Sequence, residues 1–148
     1  MIIGIGTHTG GDDQAGLLVA HRLRELSVEA VDYSGELLRL IDLWEGADKV
    51  ILVDAMRSGG PPGTIRVIEW PGVPFAGDQL PVSTHGLGLF EVLSLAAELE
   101  RLPQRVTIYG IEGKEFEPGS SPSPEVLASV EELAQRLARE VSGCTNPA

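Results

Sequence analysis

A chain of 148 residues with 43% hydrophobic composition is the right size for one domain around one core. Its net charge of −11, from 22 acidic and 11 scattered basic residues, argues against nucleic acid or acidic membranes as partners. The single cysteine, Cys144, excludes an internal disulfide, and no apolar run reaches the roughly 18 residues of a membrane span. No basic-then-apolar leader opens the chain, so a cytoplasmic protein is expected.

Residues 2–5 are an apolar run ending in glycine, which suits a buried strand. The glycine-rich turn Gly4-Ile5-Gly6-Thr7-His8-Thr9-Gly10-Gly11 leads into Asp12-Asp13, with Asp12 read as the N-cap of a helix over residues 13–26. Ala15, Leu18, Val19, Leu23 and Leu26 recur at helical spacing and define its inner face. A second strand is expected at 28–31, a turn at 32–35, and a second helix at 36–44 with Leu37, Leu38, Ile41 and Trp44 inward. Residues 49–53 are the clearest buried strand, since consecutive, mostly β-branched residues imply that both faces are covered. Asp54 follows at its C-terminal end.

The Gly/Pro-rich stretch 58–63 is loop. A strand at 64–69 carries Arg66 and Glu69 among apolar residues and so belongs at or near an edge. Residues 71–81 hold three prolines and two glycines, and their length suits a lid or binding loop. A third helix is expected at 86–100 and a last strand at 106–111. An acidic, flexible loop at 112–123 ends in Ser123-Pro124, the pattern of an N-cap followed by proline in the first helical position. The final helix buries Leu127, Val130, Ala134, Leu137 and Val141, and residues 142–148 form a frayed tail. The order β-α-β-α-β-β-α-β-α predicts one α/β domain over 1–141, with a mostly parallel five-stranded sheet between helix layers.

Gly4-Ile5-Gly6 fits a dinucleotide fingerprint poorly. Thr9 occupies the third glycine position, and two carboxylates stand where a pyrophosphate would rest. No Gly-Lys-Ser/Thr follows to make a P-loop, so the glycines serve packing and a turn. Asp13 taken alone reads as an acid complementing a helix dipole. Asp54, at the end of a buried strand, must be solvated, paired or functional. His85 taken alone is a loop histidine near a helix start. In a parallel sheet, however, Asp13 and Asp54 both follow strand C-termini, the edge where α/β proteins hold ligands, and His85 can reach that edge. Two carboxylates and an imidazole suit a borderline divalent metal such as nickel or zinc and leave positions open for water or substrate. His8 reads as a solvated loop residue or a fourth ligand, and His21 as structural. Ser83 and Thr84 read as helix caps, for there is no nucleophile elbow, and Cys144 as a solvated tail residue.

The ordered set Gly4-Ile5-Gly6…Gly11-Asp12-Asp13…Gly16, Val53-Asp54-Ala55, Pro62-Gly63-Thr64, Ser83-Thr84-His85-Gly86-Leu87 and Tyr109-Gly110-Ile111 resembles the maturation endopeptidases of [NiFe] hydrogenases over nearly the whole chain. The resemblance implies a three-layer α/β/α domain in which Asp13, Asp54 and His85 are the metal-binding acid, acid and histidine and form the catalytic site. It implies an endopeptidase that removes the C-terminal extension of an immature [NiFe] hydrogenase large subunit after nickel insertion. Nickel is then carried by the substrate, and no permanently bound cofactor is expected. Two stretches depart from the family pattern: Thr7 stands where asparagine is usual, and Asp32-Tyr33-Ser34-Gly35 where Asp-Gly-Gly-Thr is usual. A non-catalytic binding protein for the immature subunit and a metal-dependent small-molecule hydrolase are the alternatives. A monomer is expected.

Overall fold

Alternation of side chains along the strands decides the layers. In a computed structural model describing residues 1–71 and 88–145, β3 (Lys49–Met56) lies at the centre of a five-stranded sheet, buried from Val50 onward. It pairs in parallel with β1 (Ile2–Ile5) and β5 (Arg105–Glu112). β2 (Val31–Tyr33) joins β1 in parallel, and β4 (Ile65–Trp70) closes the other side antiparallel to β5, giving the order β2-β1-β3-β5-β4. Ile2, Ile51, Val53, Tyr109 and Ile111 face one way, against α1 (Ala15–Glu25) and α4 (Pro124–Thr145). Ile3, Ile5, Val50, Leu52 and Ile108 face the other, against α2 (Leu40–Leu43) and α3 (Leu89–Glu98). The single three-layer α/β domain is therefore as expected, with β4 as the antiparallel edge. Among the described residues no helix is long and apolar enough to cross a membrane.

Local readings shift where packed connections imitate regular structure. The second strand is Val31–Tyr33 rather than 28–31. Val28 and Ala30 do pack on the core, but from the α1–β2 connection, where Ser27 turns with φ 65° and Val28 N–H donates to Leu23 O. The second helix is a 3₁₀ turn, Leu37–Arg39, followed by the single turn of α2. Leu37, Leu40, Ile41 and Trp44 are buried, whereas Leu38 is 44% exposed. On α4 the inward stripe is Val126, Val130, Leu133 and Leu137, and Leu127 is 47% exposed. The same helix continues to Thr145, beyond the expected fraying at 142. Extended backbone at Gly88 (ψ 145°) delays α3 to Leu89. The loop expected at 71–81 and the Ser83-Thr84-His85 segment lie outside the described residues, except for Pro71.

Close backbone approach fixes α1 over the sheet. A Cβ at Gly4 would collide with the Gly16 carbonyl, and one at Gly16 with the carbonyls of Ile5 and Val53. The first turn of α1 thus rests directly on β1 and β3.

Asp12 is not the N-cap expected of it. It lies inside a 3₁₀ turn, Gly11–Gln14, that precedes α1, and its fully buried carboxylate reaches the far end of the sequence. Oδ2 accepts the Lys114 N–H at 2.8 Å, the Glu115 N–H at 2.9 Å and the Ser123 hydroxyl at 2.9 Å, and Oδ1 accepts the Ser123 N–H at 2.6 Å. The main chain adds Asp12 N–H to Glu115 O at 2.6 Å and Gly119 N–H to Thr9 O at 2.5 Å. Gly11 permits this approach twice over: its φ is 57°, and a Cβ would meet the Ser120 hydroxyl and the Glu115 carbonyl. The stretch read as a flexible loop is therefore tied to the opening turn. Burial alone would raise the Asp12 pKa, but the donors from Lys114, Ser123 and Glu115 outweigh it and hold the group below the ordinary carboxylate value.

Two outcomes follow from these contacts. Gly16→Ala should lose about 3 kcal/mol or more in chemical denaturation, because backbone rather than side chain must yield. Asp12→Asn turns one acceptor oxygen into an NH₂ group facing donors, and should lose about 2–3 kcal/mol at neutral pH. A depressed folded-state pKa contributes stability that is present above the unfolded value, about pH 4, and lost as pH falls through the folded one. Acid titration of stability should accordingly be flatter below about pH 4 in Asp12→Asn than in the parent.

Candidate active site

The chain leaves β1 for β2 on one side and then crosses back over β1 to reach β3 on the other. This reversal opens a crevice between the C-terminal ends of β1 and β3, the usual ligand position in an open α/β sheet. Asp13 stands at this edge in the 3₁₀ turn after β1, and Asp54 in the last residues of β3. β3 runs three residues further than expected, so Asp54 is still paired with the sheet, in register with Gly110 of β5.

Both carboxylates are only 5% exposed. Asp54 Oδ1 accepts the Ala55 N–H at 2.8 Å. Asp13 Oδ2 accepts the Thr7 hydroxyl at 2.7 Å, while Thr7 N–H donates to Asp13 O at 3.3 Å. Oxygen donors held in this way suit a divalent metal or a general base. The structure thus brings Asp13 and Asp54 to neighbouring strands on one edge. His85 lies outside the described residues, and among those described no group of three or more His, Cys, Asp or Glu is arranged to hold a metal.

The remaining sequence candidates separate clearly. His8 is exposed in the opening turn. His21 is exposed on α1, with Nε2 3.7 Å from the Glu25 carboxylate one turn on. Cys144 belongs to the last turn of α4, a helix that starts at the site edge and runs 22 residues away from it. A depression of about 230 Å³ lies at the opposite edge, lined in part by Trp44, Glu45, Glu100 and Arg101. Its groups are engaged with one another: Trp44 Nε1–H donates to Arg101 O at 2.9 Å, and the Arg101 guanidinium pairs with Asp42 at 2.9 Å.

Two features of the edge escaped the sequence reading. The sequence pattern starts a loop at Glu112, yet this residue ends β5 buried at 1% exposure. It accepts the Ser58 N–H at 2.8 Å and the Ser58 hydroxyl, and so ties the β3–β4 loop to β5. The available signal was an acid directly after an apolar strand, the pattern that singled out Asp54. Arg57, just beyond β3, stacks its guanidinium 4.2 Å from the centre of the Phe116 ring. No sequence pattern marks that pair, since the two residues come from distant loops.

Known proteins share this architecture. The hydrogenase maturation protease family matches residues 17–140. The hydrogenase expression/formation protein HupD of Rhizobium leguminosarum bv. viciae is 30% identical over 148 residues, covering 94% of this chain and 73% of that protein. HoxM of Cupriavidus necator is 31% identical over 140 residues, covering 90% and 69%. Among solved structures, the hydrogenase maturating endopeptidase HybD from E. coli superposes with a TM-score of 0.79 at 23% identity over 97% of this chain and 92% of that one, a likeness of fold. The [NiFe] hydrogenase maturation protease HybD from Thermococcus kodakarensis gives 0.71 at 29% identity over 93% and 97%. On the strength of the family match across most of its length, this chain belongs to the hydrogenase maturation proteases.

Proposed function

We propose that this protein removes the C-terminal extension of an immature [NiFe] hydrogenase large subunit once nickel has been inserted. The observation that carries the reading is the pair of buried carboxylates, Asp13 and Asp54, on the crevice edge of a chain from this family. Both are oxygen ligands, and His85 would supply a nitrogen. Together they recognise nickel already seated in the substrate, and no resident cofactor is invoked.

Docking on the substrate's nickel brings the scissile peptide against the sheet edge. Water then attacks the carbonyl carbon. A carboxylate takes the water proton as general base and passes it to the departing amine as the C–N bond breaks. The segment 113–123 supports partner binding by being held in place through Asp12, so the Arg57–Phe116 stack is a preformed wall rather than a mobile arm. The enzyme works as a cytoplasmic monomer, with its charge of −11 opposing self-association. Sedimentation at neutral pH should return a single species of 15.8 kDa.

Incubation with nickel-loaded and nickel-free precursor, read by mass spectrometry, tests the central claim. Only the loaded form should lose its extension, and Asp13→Ala, Asp54→Ala and His85→Ala should each slow cleavage by about 100-fold or more. Cleavage that ignores nickel, or survives Asp13→Ala and His85→Ala, overturns the reading. A stoichiometric complex with unchanged precursor mass would show a binding protein instead.

A further inference from the structure

We propose that Thr7 is a positioning residue for Asp13, its hydroxyl fixing the orientation in which that carboxylate meets the substrate's nickel. The proposal rests on Asp13 acting as described above. The hydroxyl donates to Oδ2 at 2.7 Å, and Thr7 N–H donates to Asp13 O at 3.3 Å, so residues 7 and 13 are joined through both side chain and main chain. A carboxylate turns easily about its last torsion, whereas a β-branched side chain is stiff at χ1. The threonine therefore supplies a fixed donor to the Asp13 carboxylate.

Gly10 shows that room is kept for this pair. A Cβ there would lie 2.9 Å from the Thr7 hydroxyl oxygen and 3.0 Å from the Asp13 Cβ. Its φ of −103° lies outside the left-handed region, and the missing side chain leaves space for the pair. A hydrogen bond to a metal-ligating carboxylate both aims the ligand and tunes its donor strength. The plain alternative is that Thr7 merely satisfies a buried carboxylate and supports the fold.

Thr7→Val keeps the shape and removes the donor, while Thr7→Ser restores a hydroxyl. Thr7→Val should lower kcat/KM for the nickel-loaded precursor by about 10- to 100-fold, with Thr7→Ser within about threefold of the parent. Binding provides the second readout. Thr7→Val should weaken capture of the nickel-loaded precursor and leave capture of the nickel-free precursor unchanged. Parent-like turnover in Thr7→Val, a loss confined to melting temperature, or a Thr7→Ser as impaired as Thr7→Val would overturn the proposal. Asp13→Ala run alongside separates the two claims. If it too processes normally, the site assignment has failed; if it is inactive while Thr7→Val is normal, only the role of Thr7 has failed. Should Thr7→Val fold poorly, Gly10→Ala crowds the same bond without removing either partner. It is expected to reproduce the loss in turnover, and parent-like turnover there overturns the proposal.

Discussion

A buried ionised carboxylate needs nearly all its hydrogen-bonding capacity filled, and Asp12 meets that demand with donors drawn from residues 114–123. The requirement runs both ways. The acid cannot be buried without that segment, and the segment has no regular structure of its own apart from its anchorage to the opening turn. Since α4 starts directly after Ser123, the same carboxylate also sets where the last helix leaves the sheet edge. The geometry around Asp13, one residue further on, inherits its rigidity from this anchorage and from the backbone contact between Gly16 and the central strands.

All four buried carboxylates among the described residues, Asp12, Asp13, Asp54 and Glu112, gather at the C-terminal edge of the sheet. They divide into two kinds. Asp12 and Glu112 spend their oxygens on loop backbone and hydroxyl donors, and so build the rim. Asp13 and Asp54 stand at the topological reversal between β1 and β3, where the sheet itself opens a crevice. Four buried carboxylates make this edge anionic, in keeping with the chain's net charge of −11.

Much of this was legible in the sequence, because the strongest signals were apolar runs and helical periodicity. The mostly β-branched run Val50–Val53 reads as a doubly covered strand, and its side chains do enter both cores. Asp54 was found by its position after that run. Asp12, an acid before a helix, looks like a cap, while its true partners lie more than a hundred residues away and leave no local trace. Leu38 and Leu127 fit the inward spacing yet are exposed, because apolar positions alone do not fix the phase of a helix to one residue. Val28 and Ala30 mimicked a strand because a packed connection and a short strand share the same composition. The Thr7–Asp13 bond was equally hidden, since it depends on how a glycine-rich turn closes.

The separation in sequence between Asp12 and its donors also bears on biosynthesis. Those donors lie 102 to 111 residues downstream. A nascent chain that stops short of residue 114 has nothing with which to bury Asp12, and a product truncated before Ser123 offers only part of the set. The turn that carries Asp13 is thus completed only after more than a hundred further residues have been made. A fragment released before residue 114 is made therefore lacks the contacts that hold the Asp12–Asp13 turn against the rest of the sheet edge.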